Sequence, residues 1–310
     1  MESLNRMATD LVDEAIDFAD ELNVAVSPLS NEATVVDFGV QVPGGIEAGL
    51  LLAEIQTAGL TTVGTTLSEV DGAPLTHVEL STDHPALALL CGQKAGWEVS
   101  VDGFEGLGSG PARALVAEEE IFQRMGYRDD FDFAVLAVET DDVPDETVAE
   151  HVADLADVPE SAVFLLPFST ASITGSVQMA ARAAELATFR LTELGYDPLD
   201  VLSVSGTAPV APVADDEETA IARTNDALAY GGQVHLVVDS DFDRFDEVPS
   251  SATEEYGTPF AEVFEAADWD FYEVPESVFA PAQVTVDVVG GPTSVHGDVN
   301  ESLLAESFDL

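Results

Sequence analysis

The chain of 310 residues is 46% apolar and sets 60 acidic side chains against nine basic ones, for a formal charge of −51. Plentiful aromatic and branched apolar residues exclude a disordered acidic chain, and the lack of any basic patch excludes nucleic-acid binding. So much like charge repels across the surface in dilute buffer but is screened within ~3 Å at 1 M salt, so the composition predicts a protein built for molar salt.

From the N-terminus, MESLNRMATDLVDEAIDFADELNV reads as an amphipathic helix with acids along its length and no signal-type apolar core. No stretch approaches the ~20 apolar residues that cross a bilayer, and the single Cys91 cannot pair internally; a cytoplasmic protein without membrane contact is expected. A strand is predicted over 34–40 and a helix over 45–58.

Acids thin out over 85–97, PALALLCGQKAGW, read as a small apolar helix and a Gly96-Trp97 turn around Lys94. A chain with eight arginines and this one lysine makes little use of lysine as surface charge. With no acid in its own segment to pair with, the Lys94 ammonium reads as serving chemistry. After a strand comes 102–113, DGFEGLGSGPAR, read as a Gly-rich loop opening a helix over 111–125, with Pro111 in its first turn and N–H groups suited to an anion. It has neither the lysine of a P-loop nor the glycine spacing of a dinucleotide fingerprint. The acidic runs at 118–120 and 215–218 read as solvated helix faces.

A strand over 131–138, a helix over 145–155 and a strand over 162–167 follow. Next, 161–192 holds a single acid, Glu185, on a helix predicted over 175–194. A carboxylate on a buried helix face needs a partner; Arg182 lies three residues earlier and Gln178 one turn before that. The pair reads equally as a structural ion pair or as a site. A strand over 201–205, a helix over 217–230, a strand over 234–239 and a helix over 259–267 complete the alternation, which predicts an α/β fold. A division into domains 1–170 and 171–310 is expected, with the chain free to cross more than once. Arg113, Arg182 and Arg223 set scarce positive charge beside Gly, Ser, Thr or Asn and favour an anionic small molecule. Five scattered histidines lack ligand spacing, so no metal is expected.

Seven segments, DHPALALLCGQKAGWEVSVDG, GSGPARAL, TGSVQMAARAAE, SGTAPVAPV, ARTNDALAYGG, YGTPFAEVFEAADWDFYEVPESVFAPAQVTV and GDVNESLLAESF, resemble in order those of the methenyltetrahydromethanopterin cyclohydrolase family. The resemblance implies two α/β domains forming a substrate pocket between them, a homotrimer, and no cofactor beyond the tetrahydropterin substrate. It also implies reversible hydrolysis of an N5,N10-methenyl bridge to the N5-formyl form. By resemblance Arg182, Glu185 and Lys94 match catalytic positions, and Glu139 a position that holds the pterin's amino edge. Gln93, Ser109, Arg113, Ser176, Gln178, Arg223 and Asn225 are expected substrate contacts. A non-catalytic pterin binder, or the same reaction on tetrahydrofolate, is the alternative.

Overall fold

The computed structural model describes residues 3–269 and 273–310; Met1, Glu2, Asp270, Phe271 and Tyr272, which fall in segments named above, lie outside them. The chain forms two compact units, one of Met1–Thr61 with Leu87–Gln178 and one of Thr62–Ala86 with Met179–Leu310. The expected cut near residue 170 therefore meets a more interleaved division. The residues from Thr62 to Ala86 leave the N-terminal half because their hairpin pairs with a later strand, a non-local choice that no local pattern encodes.

The first unit holds α1 (Leu4–Asp17), α2 (Ala19–Leu22), β1 (Ala25–Pro28), β2 (Thr34–Asp37) and α3 (Ile46–Gln56). After the excursion come a π-helix (Ala86–Gln93), β5 (Ala95–Val101), β6 (Phe104–Ser109), α4 (Ala112–Val116) and α5 (Glu120–Met125). Then β7 (Ala134–Glu139), α6 (Glu146–Ala156), β8 (Val163–Phe168) and α7 (Ile173–Ala180) follow. Its sheet runs β1-β2-β8-β7-β6-β5, with β2, β8 and β7 parallel. Both faces of the central strands are covered. Val135, Ala137, Leu166 and Phe168 pack with α1 and α3, while Ala134, Leu136, Val138, Val163 and Leu165 pack with α6. That is why AVLAV and VFLLPF are unbroken apolar runs. Each fully buried Leu or Phe there contributes roughly 1.5–3 kcal/mol.

The second unit holds the hairpin β3 (Thr62–Val70) and β4 (Ala73–Thr82), then α8 (Ala183–Glu193), β9 (Val201–Pro209), α9 (Glu217–Gly231) and β10 (Gln233–Val238). It closes with α10 (Phe260–Ala266), β11 (Gln283–Val288), β12 (Thr293–Gly297) and α11 (Glu301–Ser307). Its sheet runs β12-β11-β10-β9-β4-β3, parallel only between β10 and β11. Phe260 and Phe264 of α10, Tyr230 of α9, and Leu303, Leu304 and Phe308 at the C-terminus form one core cluster. Among the described residues no helix is long and apolar enough to cross a membrane.

Several local expectations are corrected. The Gly-rich loop is the hairpin β5–β6, with Leu107, Gly108 and Ser109 paired on one side to β5 and on the other to β7. The helix expected over 111–125 breaks at Ala117, a left-handed residue with φ 54. The helix expected over 175–194 breaks at Ala181 and Arg182, where α8 begins anew. The Gly96-Trp97 turn is the bulged start of β5.

Candidate active site

Glu185 lies in the first turn of α8, where the N-terminal end of the helix dipole favours a carboxylate. It is 1% exposed, and Arg182, at the N-cap, sends Nε (3.1 Å) and Nη2 (3.0 Å) to the same oxygen, Oε2. The start of α8 lies hard on β9. A Cβ on Gly206 would stand 2.7 Å from the Ala184 nitrogen, so a glycine there lets the helix, and with it Glu185, approach the sheet. The i, i+3 pairing expected from sequence is present although the helix expected to carry it is broken.

Lys94 belongs to the first unit. It follows directly on the π-helix, and its N–H bonds the Leu89 carbonyl at 2.7 Å, five residues back. π-Turns of this kind are frequent at functional sites. The segment of Lys94 holds no acid, but one reaches it from outside: its Nζ is 3.7 Å from Glu119 Oε2, with each side chain 23% exposed. Glu119 is correspondingly no solvated helix-face residue, since its two oxygens also accept from Arg113 Nε (2.9 Å) and Nη2 (2.7 Å).

Arg113 has no exposed surface, and besides Glu119 it bonds the carbonyls of Leu90, Gly92 and Lys94. All of the Arg113 donors are thus engaged inside the first unit, where it acts as an internal brace; the local signal, arginine after a Gly-Ser-Gly turn, could not show that its donors are already taken. Arg223 likewise bonds the Ser307 carbonyl (3.0 Å) and the Asp309 carboxylate, fastening the C-terminus. Asn225 Nδ2 bonds the Ile221 carbonyl at 2.8 Å within its own helix.

Ser109 and Gln178, expected apart as ligand contacts, are joined by a residue the sequence reading missed. Gln178 Nε2 donates to Gln56 Oε1 (2.6 Å), and Gln56 Nε2 donates to Ser109 Oγ (2.8 Å). All three are buried, and Gln178 Oε1 has no hydrogen-bond partner among the described residues. A glutamine at the end of the apolar run LLLAEIQ was the available signal. Ser176 and Gln93 are buried too. Glu139 ends β7 half-buried and accepts from the Thr170 hydroxyl, another partner that sequence spacing could not reveal.

One unit carrying the chain's single, partly exposed lysine and another carrying a buried Arg–Glu pair together define an α/β protein of two units. The sequence profile of the family described as Cyclohydrolase (MCH) matches residues 3–308, and the chain belongs to that family. It is 59% identical over the full length of both chains to the methenyltetrahydromethanopterin cyclohydrolase of Halobacterium salinarum. It is 41% identical, over the full length of both, to the protein of that name from Methanothermobacter marburgensis. Identity is again 41% to that of Methanocaldococcus jannaschii, covering 99% of this chain and 98% of the other.

Proposed function

We propose that this chain hydrolyses, reversibly, the N5,N10-methenyl bridge of a tetrahydromethanopterin-type carrier to the N5-formyl form. The observation that carries the reading is the Arg182–Glu185 pair: a buried carboxylate held through one oxygen, within a chain matched nearly end to end by the cyclohydrolase family.

The methenyl bridge is a cationic amidinium whose carbon is already electrophilic, so the task is to deliver water and manage protons. Arg182 fixes the carboxylate through Oε2, and Glu185 takes a proton from water at its other oxygen while the water oxygen bonds the bridge carbon. The adduct is neutral, because hydroxide has cancelled the amidinium charge. The bond from carbon to N10 then breaks as N10 gains a proton from Lys94 and the adduct's hydroxyl gives its own back to the Lys94 amine, leaving a formyl group on N5 and the water proton on Glu185. One proton is released overall. Lys94 is the donor to N10: an ammonium gains nothing beside the cationic ground state but hydrogen-bonds the hydroxyl and basic N10 that form later.

Glu139, oriented by Thr170, accepts from the pterin amino edge, and Gln178 offers its unpartnered Oε1 to a donor of the same ring system. Homotrimeric assembly and a cytoplasmic location are carried over from the family resemblance, and light scattering in molar salt tests the former. Turnover of the methenyl carrier, followed by loss of its amidinium absorbance in molar salt, tests the reaction; binding without turnover overturns it in favour of a non-catalytic pterin binder.

A further inference from the structure

We propose that Glu119 is a positioning residue for Lys94, holding its ammonium where the reacting nitrogen is met. The inference rests on the reading of Lys94 as the proton donor. Lysine ends in a compact charge on a flexible four-carbon stem, whereas a catalytic group must be held within about 0.5 Å. Something has to narrow its range.

The first unit supplies a graded support. The backbone at Lys94 is clamped from both sides, by the N–H bond to the Leu89 carbonyl and by Arg113 Nη1 on its own carbonyl at 2.6 Å. Arg113 also bonds the carbonyls of Leu90 and Gly92, closing the end of the π-helix, and its guanidinium carbon lies 5.7 Å from the Phe122 ring centroid. The remaining donors of that planar fork fix both oxygens of Glu119, so the carboxylate cannot swing away. Oε2 of this fixed carboxylate is the atom 3.7 Å from Lys94 Nζ. At that distance the ammonium and the carboxylate form an ion pair on the partly exposed side of the cluster.

The sequence accommodates this arrangement at Gly96, where a Cβ would stand 2.6 Å from both Arg113 Nε and Glu119 Oε2. Any larger residue would displace the pair that steadies Lys94. The chain thus keeps its one lysine beside a carboxylate that is itself immobilised by a buried arginine, and only the lysine end of the cluster reaches solvent along with its partner.

The single lysine makes the test direct. Glu119→Gln preserves shape and an acceptor for Arg113 but removes the charge that holds the ammonium. Glu119→Asp keeps the charge beside Arg113 and withdraws it from Lys94, and so remains informative if the Gln variant does not fold. In both, kcat is expected to fall about 10- to 100-fold with KM changed less than about threefold, as for a reacting group displaced by about 1 Å. Modification of the Lys94-bearing peptide by an amine-reactive ester, read by mass in substrate-free protein, is expected to rise several-fold. In a Lys94→Ala background, Glu119→Gln should change kcat less than about twofold, because the group it positions is gone. An equal loss in both backgrounds, or parental labelling in both Glu119 variants, overturns the proposal. A Lys94→Ala protein with parental turnover sinks the donor reading itself, which separates the two failures.

Discussion

Arg113 and Arg182 each grip a glutamate, and they differ in what the pair leaves uncommitted. Arg113 engages every one of its donors, two groups going to the two oxygens of Glu119 and the rest to three carbonyls. Arg182 brings Nε and Nη2 to one oxygen of Glu185. The same two residue types make a brace in the first unit and a carboxylate with an oxygen to offer in the second. Burial does not separate them, since both arginines are buried; the distribution of donors over oxygens does.

The broadest way to break this comparison is to remove the salt. Both pairs are held by close contacts that ions screen weakly, whereas the −51 formal charge is spread over the surface and loses its screening as the Debye length grows to ~30 Å at 0.01 M. Dialysis to that ionic strength should abolish circular dichroism and turnover together. Turnover lost with the native spectrum intact would mean that salt acts at a site and not on the whole surface.

Replacing Arg113 by Met sharpens the contrast. It leaves the partly exposed Glu119 carboxylate with Lys94 alone and strands three buried carbonyls, and breaking a buried pair from one side costs about 3–5 kcal/mol. Urea unfolding in molar salt should show that loss, and a cost below about 1 kcal/mol would deny Arg113 its role as brace.

Asp226 extends the comparison to a buried carboxylate with no arginine on it. It accepts from the Phe260 N–H (2.9 Å) and the Ser307 hydroxyl (2.7 Å), while Arg223, one turn earlier, bonds the C-terminus instead. Burial pushes its carboxyl up to about 6 from 3.8, against the opposing pull of those two hydrogen bonds. Between those values the folded protein holds a proton that the unfolded chain has released, so stability contributed by this group falls as pH rises from about 4 to 6. Asp226→Asn should therefore flatten the pH dependence of Tm over that window and raise stability above pH 6 by about 1–2 kcal/mol, part of the linkage gain being offset by the altered bond to Ser307. An unchanged slope would show that the buried carboxyl does not titrate there.

How far the sequence disclosed these regions follows from how local each is. Strands β7 and β8 were legible because both faces are buried and the apolar runs are continuous. Arg182 and Glu185 were legible because an i, i+3 pair stands out in an acid-poor stretch. The break between α7 and α8 was not, since no Gly or Pro marks Ala181 and Arg182, and tertiary packing against Gly206 sets the start of α8. The hairpin of β3 and β4 escaped because β3 is a mostly exposed edge strand without an apolar run. Lys94 was singled out by composition, but its partner lies beyond a hairpin and a helix, in an acidic run that looked like surface. The amide chain of Gln178, Gln56 and Ser109 joins three distant segments and had no local trace beyond one glutamine in an apolar helix.

Glu185→Gln asks with least disturbance whether the oxygen of Glu185 left by Arg182 takes the proton from water. The amide keeps an acceptor for Arg182 and the shape of the side chain but cannot take the proton. In molar salt, with the methenyl carrier and single-turnover kinetics, the rate is expected to fall by about 10²- to 10⁴-fold, the range for loss of a general base, with Tm and carrier affinity near parental. A Gln variant that hydrolyses the bridge at close to the parental rate would contradict it and leave the Arg182–Glu185 pair as a structural contact only.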